Sequence, residues 1–389
     1  MWDRFYHKEV EFPNYPYEEP EAGPMVGGAA KKLQEVMQEG ITKGVYPGAV
    51  LLVSTEKTIV FWEETGYACV DPQTIPMRKD TIFDVASLTK PLATSLAVMK
   101  LVEDRIVNLE GSLADLLPED LPDDKRAITL RQLLAHSAGL RDWVPFFKEI
   151  GPENRESSKG HIRKLVLESP LEYRPGSGVL YSDLGYILLE WIVEAVSGLS
   201  LPEFLGKHFF TQLGLKRTFF QEVGDVLKFP IEEYAATERC PWRGRVMRGL
   251  VHDENAYAMG GISGHAGLFS NALEIFTLCF SLMECYQGEG TDLVGTSVVR
   301  EFFKRQKGIS GNTWALGWDT PSVKGSSAGR FFSRNSVGHL GFTGTSVWMD
   351  LEKRLIVVFL TNRIHPSRRN EKIRAFRPYL HDTVASIFG

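Results

Sequence analysis

The sequence predicts an α+β fold, in which an antiparallel β-sheet is flanked by helices and an all-helical subdomain is inserted between the two halves of the sheet. Two observations predict it. Strand patterns occur near both ends of the 389-residue chain, and helical patterns separated by Gly, Pro and Ser loops fill the middle. Strands that cluster at the ends favour one sheet built from both ends of the chain over an alternating βαβ order.

The first part of the chain contains an arm, a helix and a hairpin. Four prolines within residues 1–25 break helices and central strands, which predicts an extended arm. Apolar residues at helical spacing over 33–41 predict a helix. Residues 49–53 and 58–62 are short apolar runs joined by a polar turn, which is typical of a β-hairpin.

The middle of the chain reads as helical, and the strand pattern returns after residue 335. The predicted helices are 87–104, 129–136, 184–197, 201–211 and 271–285. Residues 345–349 and 354–360 predict a second hairpin, and 371–388 a closing helix. We therefore expect residues 26–389 to form one domain with two lobes, about 26–86 plus 300–389 and about 87–299, with a ligand cleft between them.

Composition excludes several classes of protein. Hydrophobic residues make up 43% and charged residues 24% of the chain, which is ordinary for a globular protein. A formal net charge of -5 lacks the basic excess of a protein that binds nucleic acid. Four scattered cysteines without a Cys-x-x-Cys pair predict reduced, buried thiols. With no secretory signal and no apolar run of membrane-spanning length, we expect a cytoplasmic protein that does not bind membranes.

Ser87 and Lys90 are the first candidate catalytic residues. They open a helix of mostly apolar sequence, and residues three apart lie on the same face, so Lys90 can reach the Ser87 hydroxyl. Burial lowers the pKa of a lysine toward the range of a working base. A chain of this length contains about one Ser-x-x-Lys by chance. The second match, Ser54 to Lys57, lies in a hairpin turn and is taken as the chance one.

Two further segments support this pair. Tyr181 precedes a predicted helix on a loop that can face the cleft, and a phenol beside an ammonium group ionises more easily. A packed core tyrosine is the alternative. Gly341 and Gly344, read as strand residues, suggest close backbone approach by a ligand. The Phe342 N–H at that edge and the Ser87 N–H could form an oxyanion hole.

The sequence resembles the serine β-lactamase and penicillin-binding-protein superfamily, specifically its class C-like hydrolases, which include β-lactamases, D,D-peptidases, D-aminopeptidases and carboxylesterases. Its three motifs occur in order, as Ser87-x-x-Lys90, Tyr181-x-Asp183 and His339-x-Gly341. The resemblance covers about residues 30–385 and implies a β-lactamase/transpeptidase-like fold. It also implies catalysis by Ser87, Lys90 and Tyr181, no metal or organic cofactor, and a small-molecule, peptide or muropeptide substrate.

Two departures from the family pattern bear on the substrate. His339 stands where lactamases carry lysine, and because histidine is a weaker cation near neutral pH, we expect weak or no β-lactam hydrolysis. Asp183 replaces the usual Asn, which adds negative charge beside Lys90 and should keep that lysine protonated. Asp183, His339, Gly341 and Phe342 are the predicted substrate-binding residues. The resemblance leaves ester hydrolase, D-aminopeptidase and peptidoglycan-fragment amidase open, together with the oligomeric state.

The sequence also contains features of three alternative kinds of protein or site. Ser327 lies in a Gly-x-Ser-x-Gly sequence followed by Asp350 and His365, as in α/β-hydrolases, but without the strand before it and the helix after it that the nucleophile turn needs. A non-catalytic binding protein of the same fold is the second. The third is a metal cluster of His252, Asp253, Glu254 and His265, which no His-Glu-x-x-His spacing supports.

Overall fold

The fold is centred on a six-stranded antiparallel sheet. The structure is a computed structural model and describes residues 24–150, 158–289 and 293–389. The strand order is β3-β2-β1-β11-β10-β9, and β1 pairs with β11 in the register Ala49 to Thr361. The strands are β1 Gly48–Thr55, β2 Thr58–Cys69, β3 Ile75–Pro76, β4 Phe83–Asp84, β5 Phe219–Phe220, β6 Arg239–Cys240, β7 Arg245–Val246, β8 Leu268–Ser270, β9 Ser336–Leu340, β10 Ser346–Asp350 and β11 Leu355–Thr361.

Helices cover both faces of this sheet and build the inserted lobe. The α-helices are α1 Pro24–Thr42, α2 Leu96–Glu103, α3 Leu113–Leu116, α4 Asp123–Arg126, α5 Leu130–Leu134, α6 Phe147–Ile150, α7 Ser158–Glu168, α8 Asp183–Ser197, α9 Leu201–Leu205, α10 Glu254–Ala258, α11 Ala272–Gln287, α12 Thr296–Phe303 and α13 Ile373–Phe388. Two 3₁₀ turns, Ala86–Leu88 and Ile231–Glu233, and two π-helical segments, Lys90–Ser95 and Gly206–Phe210, complete them.

The central strands read as continuous apolar runs because both of their faces are buried. Every residue of β11 is buried, and β1 is buried up to its last residue. Side chains of α1 and α13, such as Val36 and Leu380, pack in one hydrophobic cluster with Leu51 and Phe359 of the sheet. The opposite face packs on α11 and the helical lobe. The sheet is therefore a shielded middle layer, which makes it a rigid support for residues at its edge.

The prediction of an α+β fold with an antiparallel sheet flanked by helices is confirmed, but the inserted part is not all-helical as predicted, because it also contains short strands. The structure adds two small sheets to the inserted part, β4-β8-β5 and β6-β7. The short strand β4 directly precedes Ser87 and pairs with β8, so this small sheet joins the two lobes beside the predicted nucleophile. The predicted arm lies outside the described residues except for Pro24 and Met25, which begin α1.

Two sequence-based expectations concern the chain as a whole. The four cysteines are free and buried, as predicted. Within the described ranges, no single helix is both long and apolar enough to cross a membrane. One bent pair, Asp183–Ser197 with Leu201–Phe210, passes by length and composition, with an angle of 69° between its halves.

Candidate active site

Residues of the three predicted motifs line one cavity of about 760 Å³. Its wall includes residues from the 3₁₀ turn after β4, from the loop before α8 and from the end of β9. The predicted residues on it are Ser87, Tyr181, Asp183, His339, Gly341 and Phe342. Lys90 lies behind Ser87 and is fully buried. The structure thus brings every predicted site residue to one place, although their segments are far apart in sequence.

Ser87 and Lys90 lie on one irregular helical run. Ser87 is in the 3₁₀ turn Ala86–Leu88, and Lys90 begins the wide π-helical segment Lys90–Ser95 that leads into α2. The regular helix predicted over 87–104 is therefore present only from Leu96. The predicted reach is nevertheless observed, since Lys90 Nζ donates to Ser87 Oγ over 3.1 Å.

The backbone directly before Ser87 is strained. Ala86 has a φ of 47°, in the left-handed region that residues with a Cβ rarely adopt. Two hydrogen bonds hold it there: the Ala86 N–H donates to Asp84 Oδ1 over 2.9 Å, and Thr89 Oγ1 donates to the Ala86 carbonyl over 2.6 Å. Strain held by surrounding contacts in this way is typical of functional positions, because it fixes the direction of the next side chain.

Asp183 decides the charge of Lys90. Lys90 Nζ lies 2.6 Å from Asp183 Oδ1 and also donates to the His265 carbonyl over 2.9 Å. Burial acts to lower the pKa of Lys90, as predicted, but the charges of Asp183 and Tyr181 outweigh it, so the pKa is raised above its ordinary value. The expectation that burial makes Lys90 a ready base is wrong. The expectation that Asp183 favours the ammonium form agrees with this direction.

The Tyr181 phenol lies beside Lys90 in an aromatic surrounding. Its ring stacks on Trp314 with 5.4 Å between centroids, and Lys90 Nζ is 4.9 Å from its ring centre. Burial raises the pKa of Tyr181. The charge of Lys90 and hydrogen bonds with Lys90 and Ser87 act against burial, while Asp183 adds to it, and the net direction is upward. The neighbouring ammonium thus lowers the pKa of this phenol, as predicted, but burial outweighs it, so the phenol does not ionise more easily than an ordinary tyrosine.

His339 is a neutral residue of the cavity wall. Burial, together with the positive charge of Lys90, lowers the pKa of His339 to about 3, although a bond from the ring to the Leu340 carbonyl opposes this. That bond joins Nδ1 to the carbonyl oxygen over 2.9 Å, so Nδ1 carries the proton. Nε2 is buried without a hydrogen-bond partner among the described residues. His339 is thus an acceptor near neutral pH, where the sequence predicted a weak cation.

The third motif ends in a turn, and this corrects the reading of its glycines. Strand β9 ends at Leu340, and Gly341 and Gly344 lie in the turn before β10. A Cβ on Gly341 would lie 2.0 Å from Thr345 Oγ1 and 2.5 Å from the Val85 carbonyl. The close approach at Gly341 is therefore made by the protein's own chain beside Ser87, where the sequence suggested a ligand.

The amide of Phe342 is oriented by arginine. Arg377 Nη2 donates to the Gly341 carbonyl over 3.3 Å, and Arg363 donates to the Phe342 carbonyl through Nε over 2.9 Å. In a trans peptide the N–H points opposite to the C=O. The Phe342 N–H therefore points away from Arg377, and two guanidinium groups fix the peptide planes on either side of this residue.

Arg363 and Arg377 are functional candidates that the sequence analysis missed. Both line the cavity and are at most 7% exposed. Among the described residues, neither has a carboxylate within 4.0 Å. Burial, with the nearby charge of Arg363, lowers the pKa of Arg377 to about 9, which leaves it a cation at neutral pH. One signal was available: Arg377 occupies the apolar face of α13 between Ile373 and Leu380, where a charge is unusual.

Two negatively charged side chains of the cavity wall, Asp183 and Asp253, lie around His265. His265 Nε2 lies 2.8 Å from Asp253 Oδ1, and Nδ1 lies 2.8 Å from Ser263 Oγ. Burial lowers the pKa of His265, but Asp253 raises it more, so the two form an ion pair. Donor atoms of Asp183, Asp253 and His265 lie within 4.8 Å of one another. Both ring nitrogens of His265 and one oxygen of Asp183 are already paired, so the donors fit a hydrogen-bond network better than a metal site.

The alternative nucleophile is not assembled. Ser327 also lines the cavity, but its proposed partners lie elsewhere. Asp350 accepts from Ser333, and His365 contacts Val70 and the Thr237 carbonyl. The antiparallel sheet also lacks the strand-to-helix turn of an α/β-hydrolase. The Ser327 reading is therefore wrong.

The chain is similar to known proteins over most of its length. The sequence model of the Beta-lactamase family matches residues 33–378. An Escherichia coli (strain K12) protein named "Putative D-alanyl-D-alanine carboxypeptidase" is 31% identical over 350 residues, covering 82% of this chain and 79% of that protein. A Salmonella heidelberg (strain SL476) protein of the same name is 31% identical over 397 residues, covering 94% and 89%.

Solved structures show the same fold. "EstCE1, a hydrolase with promiscuous acyltransferase activity" superposes with a TM-score of 0.72 at 21% identity, covering 92% of this chain and all of that chain. An octameric penicillin-binding protein homologue from Pyrococcus abyssi gives a TM-score of 0.67 at 22% identity, covering 90% and 77%.

Proposed function

The chain belongs to the Beta-lactamase family and is a hydrolase of that fold, and from this premise we propose that it cleaves a peptide bond next to a free carboxylate through an acyl-enzyme on Ser87. The observation that supports this substrate most directly is the pair of buried guanidinium groups, Arg363 and Arg377, on the cavity wall, neither of which has a carboxylate within 4.0 Å in the described part of the chain. Buried charges need compensation, and a carboxylate on the substrate supplies it.

In the proposed reaction Ser87 Oγ attacks the carbonyl carbon and its proton passes to Lys90 or Tyr181. The N–H groups of Ser87 and Phe342 stabilise the oxyanion, each by about 2.7–4 kcal/mol. The proton then moves to the leaving amine as the C–N bond breaks. Water attacks the acyl-enzyme, which releases the acid and restores Ser87. No cofactor takes part in this scheme.

The two raised pKa values set the pH dependence of the proposed reaction. One proton must leave the Lys90–Tyr181 pair before either group can accept the proton of Ser87. Because the pKa of each group lies above its ordinary value, the reactive form is a minority at neutral pH. We therefore expect kcat/KM to rise from pH 6 to pH 9.

We infer the substrate class from the charges of the cavity and from the names of the relatives. The relatives named for D-alanyl-D-alanine carboxypeptidase activity would remove a terminal residue that carries a carboxylate. The cavity offers the cations Arg363 and Arg377 for that group. We therefore propose a peptide ending in a D-residue, such as a cell-wall peptide fragment, as the substrate.

Ester hydrolysis is the second candidate. It is favoured by one observation, the neutral state of His339, since the position where lactamases carry a lysine cation holds no charge here. On that reading the acyl group needs no carboxylate. We expect weak nitrocefin hydrolysis, because position 339 carries a neutral histidine where lactamases carry a lysine.

The test compares an N-acyl-D-Ala-D-Ala peptide with its C-terminal amide, with release of D-alanine or its amide measured by chromatography. We expect the free acid to be cleaved at least ten times faster, and Ser87→Ala to abolish cleavage while the protein stays folded. Equal rates for acid and amide would contradict the carboxylate site. Cleavage of p-nitrophenyl esters alone would favour the second candidate.

Mass spectrometry of a covalent adduct tests which residue is the nucleophile. Incubation with a fluorophosphonate should add one adduct to Ser87, located by peptide mass spectrometry. Absence of any adduct on the wild-type protein would contradict Ser87 as nucleophile and favour a non-catalytic binding protein. An adduct on Ser327 would move the nucleophile to that residue.

A further inference from the structure

His136 holds the backbone on both sides of Tyr181. The Leu180 N–H donates to the His136 carbonyl over 3.0 Å, and the Ser182 N–H donates to His136 Nδ1 over 3.0 Å. One residue thus accepts hydrogen bonds from the two amides that flank the phenol-bearing residue. Two such bonds restrict rotation of the backbone at Tyr181.

The ring of His136 also contacts the Tyr181 side chain. The two ring centroids are 4.6 Å apart, and the other neighbours of the imidazole are Trp314 at 4.5 Å and Tyr186 at 5.2 Å. His136 is 2% exposed. The rings of Tyr181, Trp314 and His136 therefore pack as one unit, of which Tyr181 and Trp314 reach the cavity.

The structure determines the protonation state of this histidine. Because Nδ1 accepts from Ser182, the ring proton must be on Nε2. Burial, with the positive charge of Lys90 and the neighbouring His339, lowers the pKa of His136 well below its ordinary value. The neutral ring, whose Nδ1 lone pair accepts from the Ser182 N–H, is therefore the stable form.

The backbone of His136 is itself unusual. Its φ is 56°, the left-handed region that costs a residue with a Cβ about 1 kcal/mol or more. This conformation turns the chain at the end of α5 so that the carbonyl and the ring of one residue face the same segment. Such strain at a buried position is retained where the resulting geometry is needed.

We propose that His136 is a positioning residue for Tyr181, which holds the phenol at Ser87 and Lys90 through the two flanking amides and the ring contact. The inference rests on the proposed role of Tyr181 in the proton transfer. The start of α8 has other anchors, since Ser182 Oγ donates to the Arg141 carbonyl and the Asp183 N–H to the Asp142 carbonyl. His136 is therefore dispensable for beginning that helix.

Two substitutions distinguish the contribution of the Nδ1 acceptor from that of the rest of the His136 side chain. His136→Asn places an amide oxygen near the Nδ1 position, and asparagine tolerates a positive φ. His136→Gln carries its polar atoms too far out to accept from Ser182. We expect kcat of H136Q to fall about 10- to 100-fold with KM nearly unchanged, because a misplacement of about 1 Å costs that much. We expect H136N to recover most of the loss.

The control is His161→Gln at an exposed position of α7, which should behave as the wild type. A KM increase with constant kcat in H136Q would overturn the proposal, since His136 would then act on substrate binding. Full wild-type kcat in a folded H136Q protein would also overturn it. If H136Q fails to fold, H136N decides: a folded H136N protein with kcat as low as that of Tyr181→Phe contradicts the role of the acceptor.

A double-mutant cycle with Tyr181→Phe separates this proposal from the proposed function. We expect Y181F to lose about 10²–10⁴-fold in kcat, and H136Q to cost nothing further in the Y181F background. Wild-type activity in Y181F would refute the role of Tyr181 itself. If Y181F loses kcat and H136Q lowers kcat by the same factor in the wild-type and Y181F backgrounds, only the positioning role is refuted.

One measurement needs no substitution. In the folded wild-type protein, ¹⁵N NMR of the imidazoles distinguishes a protonated Nε2 from a protonated Nδ1. We expect His136 to be neutral with the proton on Nε2 throughout pH 6 to 9. A proton on Nδ1 would remove the acceptor for Ser182 and overturn the proposal.

Discussion

Replacing Asp183 by asparagine removes the negative charge that keeps Lys90 an ammonium ion. The two charged atoms lie 2.6 Å apart, Lys90 is fully buried and the Asp183 side chain is 16% exposed. At an effective dielectric constant near 20, unit charges at this distance attract by about 6 kcal/mol. Loss of one partner of a buried pair costs a net amount of about 3–5 kcal/mol. We expect the lower end for D183N, because the amide oxygen can still accept from Nζ.

The sign of the pH effect follows from the raised pKa of Lys90. Such a group stabilises the folded state fully below its unfolded pKa, near 10.4, and the contribution is lost as the pH rises through the folded pKa. Urea unfolding should therefore show D183N less stable than wild type by about 3 kcal/mol at pH 7, with a smaller difference at pH 11.

The catalytic effect has the opposite sign. Without Asp183, burial dominates and the pKa of Lys90 falls, so a free base is present at lower pH. The acid limb of the kcat/KM profile should shift to lower pH in D183N. An unchanged limb, or a shift to higher pH, would refute the reasoning that Asp183 sets the protonation of Lys90.

The matched control is Glu172→Gln. The Arg141–Glu172 pair has a short distance of 2.8 Å, but both side chains are 45% exposed. Surface pairs contribute about 0–1 kcal/mol. We expect E172Q to change stability by no more than this and to leave the pH profile unchanged. A loss of unfolding free energy equal to that of D183N would mean that burial does not determine how much an ion pair contributes to stability.

Three further predictions concern the same cavity. Gly341→Ala would place a methyl group 2.5 Å from the Val85 carbonyl, so we expect a loss of about 1–3 kcal/mol in urea unfolding together with reduced turnover; unchanged stability would contradict the close packing. His339→Lys introduces the cation that lactamases carry, and nitrocefin hydrolysis should rise; an unchanged rate would contradict our account of His339. Asp253→Asn removes the partner that raises the pKa of His265, so its stability cost should be largest at pH 6 and shrink as the pH rises above 6.5; a cost that grows with pH would contradict the ion pair.

The fold and the nucleophile could be predicted because their signals are local. The apolar runs of β1 and β11 and the three-residue spacing of Ser87 and Lys90 are properties of short segments. The protonation of Lys90 could not be predicted from its own segment, because burial and the contact with Asp183 act in opposite directions. Only the distance of 2.6 Å shows that the contact wins.

The residues that sequence reasoning missed are those whose role depends on distant contacts. His136 occurs in a stretch that reads as the end of a helix, and its bond to Ser182 joins positions 46 residues apart. Arg363 follows a buried strand, at a position where an arginine is ordinarily solvated. Its side chain instead turns back to the Phe342 carbonyl. Neither arrangement follows from periodicity or composition.

The pairing of β1 with β11 in the middle of the sheet has a consequence for the order of folding. During synthesis the N-terminal hairpin exists long before its partner, and the apolar edge of β1 stays unpaired until Leu355–Thr361 has left the ribosome. Unpaired apolar edges are sites of aggregation, and long-range strand pairing is slow. The six-stranded sheet is thus completed last, and we expect a nascent chain that ends before β11 to be prone to aggregation.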